Sequence, residues 1–286
     1  MTFLRSNDGL VCAAWAAAAC LLAMVAAPAC AQAGGPVVQQ PDTVFLEELT
    51  WTELRAGIQA GKTTIIVPIG GTEQNGPHMA LGKHNARVRT LAERVARTLG
   101  DAFVAPVIAY VPEGALQPAT GHMRFPGTIT VPDDVFRRGL ESAGQSFRVH
   151  GFRNIVFLGD HGSTQESQKA VAARLNRAWH SESVRAYAID AYYRAATVEF
   201  RELLKARGYR AEELGEHAAL TDTSLTLALD PRLVRPIAPR DDDRLPGVGT
   251  GVEGDPRRAS VELGRLGVEL IVTRTVAAIK ASTTHR

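Results

Sequence analysis

The chain has 286 residues, of which 45% are hydrophobic and 22% charged, and it contains 26 glycines and 15 prolines. This composition is that of a globular protein and excludes disordered, collagen-like and coiled-coil chains. The 32 basic and 30 acidic residues leave a formal charge of +2, and only 6% of residues are aromatic. Neither bulk charge nor a base-stacking surface therefore indicates a nucleic-acid partner.

Residues 1–33 predict a secretory signal peptide. A weakly basic start at Arg5 precedes an alanine-rich apolar run over residues 10–31, and the run ends in the small-x-small pattern Ala31-Gln32-Ala33. Such a pattern is typical of export followed by cleavage, so we predict release after Ala33 into the periplasm and no membrane attachment of the mature chain. An uncleaved anchor is the alternative, because the run is long enough to span a bilayer.

Residues 34–50 predict a short lead-in segment, and residues 51–286 predict a single domain in which strands and helices alternate. Apolar runs predict strands at 63–69, 103–111, 154–159 and 184–189. Helical spacing of apolar residues predicts helices at 85–99, 135–150, 163–179, 199–207, 217–229 and 259–280. This alternation predicts an α/β fold, a three-layer sandwich with a mostly parallel central sheet.

Function in parallel sheets gathers at the carboxyl ends of strands, and two polar segments follow predicted strands here. The segment after the strand at 63–69 leaves through two glycines and carries Glu73, His78 and His84. The segment after the strand at 154–159 contains Asp160, His161 and Ser163. Imidazole and carboxylate groups from neighbouring strand ends can bind Zn²⁺. The spacing matches no specific metal signature, so helix-capping and loop roles stay open as the alternative.

Five ordered blocks of sequence spread over residues 63–267 carry a family pattern. They read Glu73-Gln-Asn-Gly-Pro-His78-Met-Ala-Leu81, His122-Met-Arg-Phe-Pro-Gly-Thr128, Gly159-Asp-His161-Gly-Ser163, His217-Ala-Ala-Leu-Thr-Asp222-Thr-Ser224 and Gly251-Val-Glu-Gly-Asp-Pro256. In this order they resemble the creatininase (creatinine amidohydrolase) family. The resemblance implies an α/β fold and a homo-oligomer. It also implies metal-dependent hydrolysis of non-peptide C–N bonds in small molecules such as cyclic amides, lactams or formamides.

Carried over position by position, the resemblance implies a metal site formed by Glu73, His84 and His161. The family site commonly holds two metals, but this chain has His84 in place of the bridging aspartate. Asn75 and Ser163 stand where the second metal has its own ligands. An imidazole nitrogen binds one metal and cannot bridge two, and Asn and Ser are weak ligands for a transition metal. We therefore predict one divalent cation, zinc in the first place, with manganese or iron as alternatives.

Further roles follow for residues near these ligands. His217 matches the family histidine to which acid catalysis is attributed, and a hydrolase also needs a base. Asp222 and Asp160 are candidates for proton transfer; orientation of a ligand and helix capping are their alternatives. Contacts with substrate are predicted for four residues, His78, Asn75, His122 and Ser163.

The sequence thus predicts an exported metal-dependent amidohydrolase whose partner is a small-molecule amide. Creatinine itself fits poorly as the substrate. The resemblance implies a tryptophan, in family members that hydrolyse creatinine, at the position where this chain has Glu213. Two alternatives stay open. One is a non-catalytic periplasmic small-molecule or metal-binding protein on a degenerate scaffold, and the other is a metal-dependent lactonase or isomerase.

Overall fold

The computed structural model describes residues 41–237 and 249–284. The predicted signal peptide and residues 34–40 of the predicted lead-in segment lie outside the described residues. Across the two described ranges, every helix is too short or too polar to cross a bilayer.

The described residues contain alternating strands and helices. The strands are β1 (Thr64–Ile69), β2 (Ala102–Val104), β3 (Asn154–Gly159) and β4 (Arg185–Ala188). The helices are α1 (Trp51–Gln59), α2 (Lys83–Leu99), α3 (Asp133–Val149), α4 (Gln165–Ala178), α5 (Asp190–Arg194), α6 (Phe200–Lys205), α7 (Ala211–Leu214), α8 (Leu220–Leu229) and α9 (Val261–Thr284). A π-helical turn, Ala195–Glu199, joins α5 to α6.

The four strands form one sheet in the order β2-β1-β3-β4, and each neighbouring pair is parallel. All six residues of β1 are buried, as expected for a central parallel strand that is covered on both faces. The predicted α/β fold with a parallel sheet is confirmed.

Side chains of β1 alternate between two hydrophobic clusters, one on each face of the sheet. Ile66 packs in the cluster to which α2 and α9 contribute Val88, Leu91, Val268 and Ile271. Its neighbours Ile65 and Val67 pack in the cluster to which α3 and α4 contribute Phe136, Leu140, Val171 and Leu175. The helices therefore cover both faces, which gives the three predicted layers.

The predicted strand at 103–111 is shorter in the structure, where β2 ends at Val104. Pro106 follows closely, and proline has no N–H for a strand ladder. Beyond it the chain keeps only isolated bridges, Ile108 with Ile69 and Val111 with Thr130. The residues after β2 therefore form a long irregular segment instead of a continuous strand.

The register of the sheet brings the two polar segments together. Ile69 at the end of β1 pairs with Gly159 at the end of β3, and the amide of Asp160 donates to the carbonyl of Ile69 at 2.9 Å. Helix α2 begins at Lys83, two residues earlier than predicted, so His84 is a helical residue. The first turns of α2 and the loops after β1 and β3 thus meet at one edge of the sheet.

Candidate metal centre

A cavity of about 260 Å³ lies where these segments meet, and we call it the site cavity. Most of the predicted site residues line it, namely Glu73, His84, His122, Asp160, His161, His217 and Asp222. Lys83 and Arg87 from the first turns of α2 line it as well. The cavity is therefore strongly polar and is built largely from ionisable side chains.

Glu73 lies at the centre of a ring of imidazoles. Its fully buried carboxylate places Oε1 2.7 Å from Nε2 of His84 and 3.8 Å from Nδ1 of His217. Its Oε2 lies 2.9 Å from Nε2 of His161 and 3.1 Å from Nε2 of His122. Burial alone would raise the pKa of Glu73, but the charge of His84 and the hydrogen bond from His161 hold it well below its usual range. Glu73 is therefore an ionised carboxylate surrounded by nitrogen atoms.

Asp160 fixes the orientation of His84. Its Oδ2 accepts a hydrogen bond from Nδ1 of His84 at 2.7 Å and one from Nε of Arg87 at 2.8 Å. Its Oδ1 accepts from the hydroxyl of Tyr192 at 2.7 Å. Burial would raise the pKa of Asp160, but Arg87 and His84 keep it lowered. A carboxylate on Nδ1 is the arrangement that orients a metal-binding histidine, and these contacts favour that role for Asp160 over proton transfer.

Ser163 determines which nitrogen of His161 is free to bind a ligand. Its Oγ lies 2.6 Å from the carbonyl oxygen of Pro112, which can only accept, so the single hydroxyl proton is donated there. The contact of 2.7 Å between the same Oγ and Nδ1 of His161 then needs Nδ1–H as the donor. The backbone N–H of Ser163 approaches Nδ1 at a longer 3.2 Å. In a neutral His161 the lone pair is therefore on Nε2, the nitrogen that a cation would bind, whereas the hydrogen bond of Nε2 to Glu73 needs a proton on that nitrogen as well.

His122 is held in the opposite tautomer by Gln74. The Gln74 side chain accepts from the amide of Gly76 at 2.9 Å and donates to the carbonyl of Gly251 at 3.0 Å, which fixes its amide orientation. Its remaining N–H contacts Nδ1 of His122 at 2.9 Å. Nδ1 of His122 must accept this hydrogen bond, so Nε2 carries the proton, 3.1 Å from Oε2 of Glu73. His122 is thus a hydrogen-bond donor into the site, whereas a metal would require the lone pair on Nε2.

His217 offers an unprotonated nitrogen to the site cavity. Its Nε2 donates to the carbonyl oxygen of Gln74 at 2.9 Å, so the lone pair of a neutral imidazole is on Nδ1, on the side of Glu73. Burial and the nearby charge of Lys83 lower the pKa of His217 to about 3. The side chain is therefore neutral near pH 7, with Nδ1 as its free nitrogen.

Asp222, near the start of α8, binds two buried cationic side chains of α2, Lys83 and Arg87. Its Oδ2 accepts from Nζ of Lys83 at 2.9 Å and from the amide of Ala218 at 3.0 Å. Its Oδ1 accepts from Nη1 of Arg87 at 2.7 Å. Because Arg87 also binds Asp160, a continuous chain of charged hydrogen bonds runs from Lys83 to the imidazole of His84.

Three of the residues predicted to contact substrate do not line the site cavity. Nε2 of His78 lies 3.0 Å from the hydroxyl of Thr223 on α8, and the amide of Asn75 donates to the carbonyls of Glu73 and Ala80. Ser163, the third, contacts Pro112 as described above. These contacts hold neighbouring segments together, and none of the three side chains lines the site cavity.

Glu113, which lies in the irregular segment after β2, was not predicted as a site residue. Its side chain is fully buried, with Oε2 3.2 Å from Nε2 of His161, yet neither carboxylate oxygen makes a hydrogen bond within the described residues. Burial and the charge of Glu73 raise the pKa of Glu113 to about 9. One ligand atom each from Glu73, Glu113, His122 and His161 lies within 4.8 Å of the others. The donor set fits a divalent cation, although the tautomer of His122 makes it the weakest member.

Comparison with known proteins finds similarity over most of the chain. The family model described as creatininase, or creatinine amidohydrolase, matches residues 47–279. The creatinine amidohydrolase of Pseudomonas putida is 26% identical over 262 residues, covering 83% of this chain and 96% of that protein. The 3-dehydro-scyllo-inosose hydrolase of Thermotoga maritima is 28% identical, covering 69% of this chain and 60% of that protein. A solved structure described as "Creatininase Mn" has a TM-score of 0.68 at 26% identity, covering 84% and 99% of the two chains.

Proposed function

The chain belongs to the creatininase (creatinine amidohydrolase) family, and on that premise we propose that it is a metal-dependent hydrolase of a C–N bond in a small amide. The observation that carries this proposal is the buried carboxylate of Glu73, which faces Nε2 of His161 and the imidazole of His84. Two histidines and one carboxylate are a common set for a catalytic zinc.

We propose that one ion binds here, with Zn²⁺ and Mn²⁺ as the leading candidates. Glu73 and His161 are the first two ligands, and the carboxylate of Asp160 on Nδ1 of His84 supports His84 as the third. The positions that would serve a second ion support this count. The amide of Asn75 is used by backbone carbonyls, and the hydroxyl of Ser163 is used by Pro112 and His161.

The chain's own residues supply the proton transfers. A divalent cation supplies Lewis-acid polarisation of the scissile carbonyl and a more acidic water. His217 is placed to take a proton on Nδ1 and to return it to the leaving nitrogen, since its Nε2–H is occupied by the carbonyl of Gln74. His122 donates through Nε2 into the same space, so it can hold a substrate oxygen.

The Thermotoga maritima relative is named a hydrolase of 3-dehydro-scyllo-inosose, which is not creatinine. The second candidate for this chain is the metal-dependent lactonase named as an alternative in the sequence analysis. The same cavity and the same groups would serve a cyclic ester, because the leaving oxygen needs the same proton as a leaving nitrogen. We also propose that the mature chain is periplasmic, as its N-terminal sequence predicts, and that it forms a homo-oligomer, as the family resemblance implies.

The experiment is a metal-dependent activity screen. The purified mature protein is stripped with a chelator, reloaded with Zn²⁺ or Mn²⁺, and tested against cyclic amides, lactams, formamides and lactones. We expect hydrolysis of an amide that is lost on chelation, restored by one equivalent of metal and abolished by His161→Ala. Hydrolysis of lactones alone would select the second candidate. Ligand-induced thermal stabilisation without turnover would replace both with a binding function.

A further inference from the structure

We infer that Glu113, from the segment after β2, is a ligand of the ion that Glu73 and His161 hold. This inference rests on the proposed function, because it concerns the same ion. It adds a side chain that neither the sequence pattern nor the family comparison assigns to the metal. The ion then lies between the loop after β1, the loop after β3 and the segment that follows β2.

Among the residues that the structure describes, Glu113 has no hydrogen bond that compensates for its burial. Its side chain is fully buried, and both oxygens lack a hydrogen-bond partner within the described residues. A carboxylate removed from water without partners is strongly destabilised, and Glu73, a second buried carboxylate, lies beside it. A divalent cation held by both carboxylates would offset the desolvation cost of Glu113, which explains why the two carboxylates occupy one site.

The residues around Glu113 hold its segment in place and leave room for its carboxylate. Ser163 donates its hydroxyl to the carbonyl of Pro112, the residue before Glu113, so the same serine that orients His161 also fixes this segment. Gly71 lies against the carboxylate, and a Cβ there would come within 2.7 Å of its Oε1. Any larger residue at position 71 would occupy the space that the carboxylate now fills.

The distances from His161 to the two carboxylates also fit a shared ion. Nε2 of His161 lies 2.9 Å from Oε2 of Glu73 and 3.2 Å from Oε2 of Glu113. Atoms that each bind Zn²⁺ at about 2.0–2.2 Å are separated by distances of this size. In a neutral His161 the lone pair of Nε2 is on this side, since Nδ1–H is bound to Ser163.

A different explanation is that Glu113 is protonated and shares its proton with Glu73. The variant Glu113→Gln separates the two explanations, because a glutamine amide can still donate to Glu73 but is a poor ligand for a transition metal. Glu216→Gln is the matched control. Glu216 lines the same cavity, but it is exposed and faces Arg201 at 3.5 Å.

The test measures metal binding directly. The full mature chain and both variants are stripped of metal and titrated with Zn²⁺ in competition with a chromophoric chelator. The visible absorption of the Co²⁺-loaded proteins is recorded as a second readout, and circular dichroism checks folding. We expect Glu113→Gln to raise the Kd for Zn²⁺ at least about 100-fold, because losing a group that merely orients a ligand already costs about 10–100-fold. The Co²⁺ spectrum should change with it, and Glu216→Gln should leave both readouts unaltered.

An unchanged Kd and an unchanged Co²⁺ spectrum in Glu113→Gln would overturn the inference and leave the proposed function standing. A parent protein that binds neither Zn²⁺ nor Co²⁺ would overturn the proposed function itself. Should the glutamine variant fail to fold, Glu113→Asp keeps the charge and withdraws the carboxylate by one methylene. Weaker Zn²⁺ binding in that variant supports the inference, and unaltered binding counts against it.

Discussion

The ammonium of Lys83 is fully buried, and Asp222 is its sole hydrogen-bond partner among residues 41–237 and 249–284, at 2.9 Å. The pair is unequal, because Asp222 also accepts from Arg87 and from the amide of Ala218. Removing Asp222 leaves the buried charge of Lys83 without any hydrogen-bond partner in the described residues. Removing Lys83 leaves Asp222 with its two other donors. The stability of this corner of the cavity therefore depends more on the carboxylate than on the ammonium.

Asp222→Asn is expected to lower the free energy of unfolding by about 3–5 kcal/mol, the usual loss when one member of a buried ion pair is removed. Lys83→Met should lower the free energy of unfolding by less, because Asp222 keeps two hydrogen-bond donors. Urea unfolding followed by tryptophan fluorescence measures both losses. Equal losses in the two variants would show that the ammonium has compensation beyond Asp222.

Ser163→Ala is expected to weaken Zn²⁺ binding by about 10–100-fold while leaving the fold intact. The hydroxyl of Ser163 fixes the tautomer of His161 and also donates a hydrogen bond to the carbonyl of Pro112. Its loss therefore leaves both the imidazole and the segment at Pro112 less well positioned. The effect is measured by competition with a chelator. Ser146→Ala is the control, since its hydroxyl bonds only to the carbonyl of Ser142 within α3. Identical affinities for the two variants would remove the role assigned to Ser163.

Glu213 gives the fold a defined pH dependence. Burial would raise its pKa, but the amide of Arg210 and the guanidinium of Arg258 hold it below the usual range. Because the pKa is lower in the folded chain than in the unfolded chain, where it is about 4.3, the stabilisation is present above that pH. It is lost as the pH falls through the folded value.

The variant Glu213→Gln should therefore lower the free energy of unfolding by about 1.5–3 kcal/mol at pH 7, the range for a hydrogen bond to a charged group. The difference from the parent should shrink steadily below about pH 4. Urea midpoints at a series of pH values measure this. The exposed neighbour Glu212→Gln is the matched control, and a difference that persists in acid would exclude the ion pair as its source.

Residues 1–33 predict that the chain is exported and then cleaved. Expressed whole in a Gram-negative host, the protein should be recovered from the periplasm with Gly34 as its first residue. Intact-mass spectrometry measures the cleavage point, and replacing Ala33 with tyrosine should block processing. A chain found in the membrane fraction with residues 1–33 still attached would instead show an anchor.

The sequence predicts the edge of the sheet where the site lies, because buried parallel strands are continuous apolar runs and polar residues follow their ends. Glu73 and His161 were identified in this way, and β1–β3 pairing places them together. The helical position of His84 was missed, since Gly82 and Lys83 carry no N-cap signal and α2 lacks a side-chain cap.

Glu113 could not be predicted from the sequence. It follows Pro112 in a segment without periodicity, and a lone acidic residue in a loop is ordinarily solvated. Its burial results from the return of that segment towards Ser163, which depends on the packed sheet. The tautomers of His122 and His161 could not be predicted from the sequence either, because each depends on a residue distant in the chain. Gln74 sets the tautomer of His122. Pro112 sets that of His161 through the hydroxyl of Ser163.

The register between β1 and β3 also bears on the order of events during folding. Glu73, Glu113 and His161 are far apart along the chain and are neighbours only after the parallel strands have paired. An unpaired chain offers a cation no preformed set of ligands, so the ion has nothing to bind until the sheet exists. Metal should consequently act late, slowing the unfolding reaction while leaving the rate of folding almost untouched.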